Sequence, residues 1–439
     1  MIQPKPESSL KPWRPLVVQD RAGAVWDSLR EMVAALGPAL EEFKQRHKGG
    51  TEPSYGGSLG SEAAGISLFL AYLKASGVMP ECWDLGRQYL DFAVEMLSEE
   101  SMEVSLHGGF TGIAWIVQHI ADLLGGLEYD LSGIDEAIEG SVSKSPWKIT
   151  YDLIAGLVGI GVYCLERRNT SAARSLEQII ERLYELAERS DDEARWFTPP
   201  ELLFDQQKEL YPNGFYNLGL AHGVPGVIAL LGKAHAAGIA RDRTQWLLDR
   251  AVPCFLKQRL PSSAHSSFAA FRGPRRTEED CRLAWCYGDA GAAAALLLAS
   301  SYTGNSSWEE EALSIFTKAA KRAPDSCGVR DACFCHGAAG LAHIFNRIYH
   351  ATQQELFAQA SRYWLDRTLQ FRRPGEGAAG YLVWTQEKDG TMELTGRFNF
   401  LEGIAGIGLA LLAAIADLEP AWDRLCMVDI PLDRFNHMD

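Results

Sequence analysis

GIAGIGLALLAAI, residues 403–415, places two glycines three residues apart at the head of a run of Ile, Leu and Ala with no polar side. A helix that is apolar all round must be buried on most sides, and small residues let its neighbours pack closely. The same Gly-x-x-Gly opening recurs in GFTGIAWIVQHI (109–120), GLVGIGVYCLE (156–166), GVPGVIALLGKA (223–234), GDAGAAAALLLA (288–299) and GAAGLAHIFNRI (337–348). A seventh copy, EAAGISLFLAYL (62–73), has Glu62 in place of the leading glycine. The second glycines are 47, 47, 67, 65, 49 and 66 residues apart, so each unit of this internal repeat has room for one more helix and a variable loop.

Apolar positions at three- and four-residue spacing predict that second, amphipathic helix at about 22–48, 83–98, 171–189, 244–258, 308–321 and 353–370, with a shorter one at 130–139. Seven buried helices alternating with seven amphipathic ones fit two concentric layers. An open solenoid needs polar caps, yet the terminal repeats are as apolar as the central ones, which favours closure into a ring. The predicted fold is all-α, a double-layered α/α toroid of seven helical hairpins with the Gly-rich turns gathered at one end of the inner barrel. It forms one domain over 21–439, after a flexible segment 1–20. Loops are inserted at about 193–220, 261–282 and 373–397, and weak alternation around Lys388-Asp389-Gly390 predicts a β-hairpin within 381–396. Loop 261–282 and the hairpin near Asp389 are the expected substrate contacts.

The 439 residues are 47% hydrophobic and 23% charged, with a net charge of −15 that argues against nucleic acid or an anionic membrane as the main partner. The first twenty residues hold four prolines and no apolar run of signal-peptide length, and the longest apolar stretch, 403–418, is too short to span a bilayer. The expectation is a cytosolic protein with no membrane span. Nine cysteines in so long a chain are too sparse for a disulfide scaffold and read as free thiols or metal ligands.

Two turns carry candidate chemistry: Trp285-Cys286-Tyr287-Gly288-Asp289 and Cys335-His336-Gly337. Two cysteines and a histidine at matching places of one repeat are soft, zinc-preferring ligands, and three protein ligands leave a fourth position open, as in catalytic zinc sites. His222 precedes the leading glycine of the fourth copy, as His336 does in the sixth, so both project at the same end. A histidine there suits a general acid, and equally a turn cap. His107 stands in the register of Cys286 and Cys335 and is read as structural or substrate-facing. Cys333 offers an alternative Cys333-x-Cys335 chelate but is read as a packed thiol. Cys82, Cys164, Cys254, Cys327 and Cys426 are read as small buried hydrophobes. Glu402 occupies the histidine place of the seventh copy, as an acceptor for the turn.

With YDLIAG (151–156), NLGLAHG (217–223), AWCYGDAG (284–291) and CHGAAG (335–340), the chain resembles the lanthionine synthetase C family over nearly its whole length. The resemblance implies an α/α toroid with one zinc per chain on Cys286, Cys335 and His336. It implies a cyclase that adds cysteine thiols across dehydroalanine or dehydrobutyrine in a dehydrated precursor peptide, forming thioether rings, with a separate dehydratase as partner. It assigns His222 as general acid and adds Asp152, Arg282 and Tyr287. A thiol of pKa roughly 8.5 becomes a thiolate on zinc, so the metal would supply the nucleophile. Attack creates an enolate, which Arg282 is placed to stabilise. Asp152 either orients the histidine or helps to deprotonate the thiol. Two other readings stand beside this one: glutathione added to dehydroamino acids, as in the family's eukaryotic branch, and a non-catalytic peptide-binding scaffold braced by zinc.

Overall fold

The computed structural model describes residues 13–17, 19–48, 59, 62–99, 101–203, 205–273, 279–386 and 391–432. Along the chain run α1 (Gln19–Lys48), α2 (Ala63–Ala75), α3 (Trp83–Glu99), α4 (Phe110–Leu124), α5 (Ser132–Val142), α6 (Leu157–Arg167) and α7 (Thr170–Leu186). Strands β1 (Glu188–Arg189), β2 (Ala194–Arg195) and β3 (Phe197–Thr198), helix α8 (Asp205–Leu210) and strand β4 (Phe215–Asn217) follow. Then come α9 (Val224–Ala236), α10 (Arg241–Leu256), β5 (Phe271–Arg272), α11 (Asp289–Thr303), α12 (Ser306–Lys321), α13 (Ala338–Thr352), α14 (Glu355–Gln370), β6 (Val383–Gln386), β7 (Met392–Thr395) and α15 (Ile404–Ile415).

Every Gly-led run is a buried helix, and six of the seven have the leading glycine as N-cap. The amphipathic helices stand where the spacing places them, and the short one at 130–139 is real as α5. Helix α7 stops at Leu186 rather than near 189, because Glu188 and Arg189 pair with Arg195 and Ala194 as a strand. Local chemistry sets the hairpin corners. Arg168 and Gly304 end α6 and α11 in the left-handed region, and the next residue, Asn169 or Asn305, caps the following helix by accepting a backbone N–H.

The chain divides into two compact units, the first comprising 131–328 with the C-terminal segment from 423, and the second 11–130 with 329–422. In the first, α9 packs against α6, α10 and α11, while α7 pairs with α6 and α12 with α11. Buried Asp135 fastens α5 to this layer, accepting from Tyr163 Oη (2.7 Å), Asn169 Nδ2 (2.8 Å) and Arg167 Nε (3.1 Å). Trp285 Nε1 donates to the Cys426 carbonyl (2.9 Å), which ties the tail to the turn before α11.

A small antiparallel sheet, β3-β4-β5, completes the first unit. Its register pairs Phe197 with Tyr216 and Tyr216 with Arg272, and pairs Thr198 with Phe215 and Asn217 with Phe271. Side chains alternate along a strand, so the sheet has two distinct faces. Phe197, Tyr216 and Arg272 line a cavity of about 450 Å³ together with Phe255 and Gln258. Phe215, Asn217 and Phe271 share the other face.

In the second unit α15 packs between α13 and α2, α2 meets α3 and α4, and α14 covers α13. Trp13 anchors the N-terminal residues here: its Nε1 donates to the Ala413 carbonyl (2.9 Å) and its ring stacks on His350. The expected hairpin is present as β6 and β7, with Trp384 opposite Leu394. Its tip, Lys388-Asp389-Gly390, lies outside the described residues, as do 1–12 of the expected N-terminal segment and 274–278 of loop 261–282.

Candidate functional site

In the first unit three successive Gly turns are stitched by their backbones. Leu153 N–H donates to the Ala221 carbonyl (3.1 Å), and Ala221 N–H to the Cys286 carbonyl (3.3 Å). The last of these turns requires glycine at 288: its φ is +95°, and a Cβ would lie 2.0 Å from the Arg282 carbonyl oxygen. That tight return presents Cys286, buried, and Tyr287, half-buried.

The stitching brings Asp152 and His222, 70 residues apart, into contact: His222 Nδ1–H donates to Asp152 Oδ2 at 2.7 Å. Asp152 is buried, and its other oxygen accepts the Ala155 N–H (2.8 Å), so the carboxylate is held from two sides. Burial pushes the His222 imidazole down, but the hydrogen bond and charge of Asp152, with Cys286 beyond, outweigh it and hold the group above its ordinary value. The Tyr287 ring lies 6.2 Å from that of His222 and 5.2 Å from that of Phe271, and its hydroxyl accepts from Asn217 Nδ2 (3.2 Å). The sheet face opposite the cavity thus sets the position of Tyr287. Arg282 is exposed and makes no hydrogen bond or ion pair with Asp152, His222 or Tyr287 among the described residues.

Loop 261–282 folds back onto the same turn. Ser267 N–H donates to both carboxylate oxygens of buried Asp289 (2.8 and 2.9 Å), and Ser266 N–H to Asp280 Oδ1 (2.9 Å). Burial raises the thiol of Cys281, next to Arg282, to about 12, with the charge of Cys286 adding to it.

In the second unit the turn before α13 carries Cys335 and His336, and Cys335 N–H donates to the Leu401 carbonyl (2.8 Å) in the same kind of stitch. Buried Asp331 organises this turn. Its Oδ1 accepts the Cys333 N–H (3.1 Å), its Oδ2 accepts the Trp384 N–H of β6 (3.3 Å), and Oδ2 stands 3.7 Å from His336 Nε2. The crowding excludes any side chain at Gly337, whose Cβ would come within 2.5 Å of Asp331 Oδ1. Donor atoms of Asp331, Cys333 and His336 lie within 4.8 Å of one another. Cys333 is buried and accepts the His336 N–H (3.5 Å), and burial, then the Asp331 charge, raises its thiol well above the ordinary range. Glu402 uses its N–H rather than its carboxylate on the turn, donating to Asn399 Oδ1 (2.8 Å). His107 is buried, and so are Cys82, Cys164, Cys254, Cys327 and Cys426, all free thiols.

Asn217 and Asp331 were not singled out by the sequence reading. Each lies six residues before the leading glycine of its repeat, a register in which a short polar side chain caps the turn. That shared place is the signal by which they could have been found.

A repeat of Gly-led buried helices whose turns carry cysteine, histidine and carboxylate defines an all-α repeat protein equipped for thiol and proton chemistry. The chain belongs to the lanthionine synthetase C-like family, whose model matches residues 53–427. It is 27% identical to the nisin biosynthesis protein NisC of Lactococcus lactis subsp. lactis over 307 residues, 65% of this chain and 72% of NisC. A solved nisin cyclase matches it with a TM-score of 0.73 at 22% identity, covering 90% of this chain and 96% of that one. That likeness shows the fold to be the double-layered α/α toroid expected from the repeat. No helix among the described residues is long and apolar enough to cross a membrane.

Proposed function

We propose that this protein is a thioether-forming peptide cyclase, adding cysteine thiols of a dehydrated precursor peptide across dehydroalanine or dehydrobutyrine. The carrying observation is the His222–Asp152 hydrogen bond of 2.7 Å beside Tyr287 and Cys286, on a chain of the lanthionine synthetase C-like family.

Cys286, Cys335 and His336 are proposed to hold one zinc ion. Two thiolates with an imidazole are the soft donor set that zinc takes with a position left open. Bound there, zinc would keep a substrate thiol as thiolate near neutral pH.

The other tasks fall to side chains. The substrate thiol gives its proton to solvent, its sulfur bonds to the β-carbon of the dehydroamino acid, the C=C electron pair moves to an enolate, and the α-carbon then takes a proton from a donor that solvent recharges. His222, held by Asp152 in its cationic form, is the donor of that proton from Nε2, because Nδ1 is occupied by Asp152. Asp152 therefore acts as orienter, the first of its two alternatives. Tyr287, positioned by Asn217, is a hydrogen-bond donor for the developing oxyanion. Arg282, exposed four residues before Cys286, is the proposed partner of the enolate oxygen through a charge-assisted hydrogen bond. A separate dehydratase is the proposed source of the dehydrated substrate, as the family resemblance implies.

The test is incubation of the purified protein with a linear dehydrated peptide bearing one cysteine, with and without glutathione. Ring closure consumes the free thiol with no change in mass, and that is the expected result. A thiol that stays alkylatable overturns the reading, and a glutathione adduct formed without ring closure moves the activity to an intermolecular donor.

A further inference from the structure

We infer that Asp331 is the positioning residue of the metal site: its carboxylate faces His336 Nε2 and so leaves Nδ1 to the ion. This rests on the reading of His336 as a zinc ligand. The two nitrogens of an imidazole are distinct, and the partner of one decides what the other can bind. Metal-bound histidines commonly turn their second nitrogen to a carboxylate that fixes tautomer and ring orientation. Asp331 is built for that task. It is 2% exposed, and its Oδ2 is 3.7 Å from His336 Nε2. Backbone amides of Cys333 and Trp384 hold its two oxygens from opposite sides, so the carboxylate cannot swing away. Gly337, the residue after the ligand, leaves the room this requires. The Trp384 bond also carries the placement of the β6–β7 hairpin to the ligand, through one carboxylate.

The experiment uses the full chain, stripped of metal and titrated with zinc against a chromogenic chelator, for the parent and Asp331→Asn. Both are also labelled with ¹⁵N-histidine, loaded with ¹¹³Cd and examined by NMR for the nitrogen coupled to the metal. Asp331→Asn is expected to weaken zinc binding about 10- to 100-fold, while the metal-free chain keeps native helicity by circular dichroism and melts somewhat lower, because Asn offers one acceptor oxygen where Asp331 offers two. Cadmium is expected to couple to Nδ1 of His336 in the parent, and in the variant that coupling is shared with Nε2 or lost. Unchanged zinc affinity, or coupling to Nε2 in the parent, overturns the inference. The parent spectrum decides alone if the variant fails to fold. A parent that takes up no zinc overturns the zinc reading itself, whereas a parent and variant that bind equally overturn only the role of Asp331.

Discussion

His222 and His336 occupy the same place in two copies of one repeat, each directly before the leading glycine and each beside an aspartate, yet the two pairs are built differently. The carboxylate of the first comes from a neighbouring repeat, 70 residues away, and hydrogen-bonds Nδ1 at 2.7 Å. That of the second comes from its own turn, faces Nε2 at 3.7 Å, and is shared with two backbone amides. In the proposed reading, one imidazole keeps Nε2 for a proton to leave by, and the other keeps Nδ1 for a metal. A repeated scaffold duplicates a position, and the partner each copy meets decides its chemistry.

The comparison is broken most severely at the metal. His336→Ala, Cys286→Ala and Cys335→Ala are each expected to lower zinc from about one per chain to below detection by elemental analysis and to abolish ring closure. Helicity by circular dichroism should remain native, because the ligands sit in turns and not inside the helices. Unfolding on loss of zinc would instead mark a structural brace. His222→Asn should keep its zinc and lose about 10²- to 10⁴-fold in kcat, the usual worth of a general acid. If the two histidine variants lose the same property, the two places are equivalent and the distinction fails.

Asp152→Asn sharpens the contrast. It should cost about 10- to 100-fold in rate, equivalent to the about 1.5–3 kcal/mol of a hydrogen bond to a charged group. The sign of its pH effect is fixed by the balance at His222. Asp152 raises that group above its ordinary value of about 6.5, so the cationic form, and the stability the pair contributes, is present at low pH and lost as pH rises through the raised value. Without the carboxylate, burial acts with less opposition, and the alkaline limb of the rate profile should move to lower pH. A limb that stays in place would assign it to another group. The smallest effect belongs to Asn217→Ala, which removes the donor to the Tyr287 hydroxyl and should cost about 1 kcal/mol, roughly fivefold in kcat/KM.

The fold was legible because its signal is local and repeated. Seven Gly-x-x-Gly starts and the alternation of all-apolar with amphipathic helices can be read without knowing where the chain goes, and even weak α5 was marked by its spacing. Strands of two or three residues such as β3, β4 and β5 carry too few positions for alternation to show. Long stretches of chain separate them, so the sheet that positions Tyr287 was not foreseeable. Within the site, cysteine and histidine types in a repeated register were visible, but the exposure of Arg282 was not.

The sequence by itself determined which segments become helices, which of them are buried, and which turns carry thiol and imidazole, since residue type and period report burial one position at a time. Only the tertiary structure decided which carboxylate faces which histidine and through which nitrogen. Those contacts depend on backbone stitches between distant turns and on crowding around Gly288 and Gly337 that leaves no room for a Cβ, and no periodicity records either.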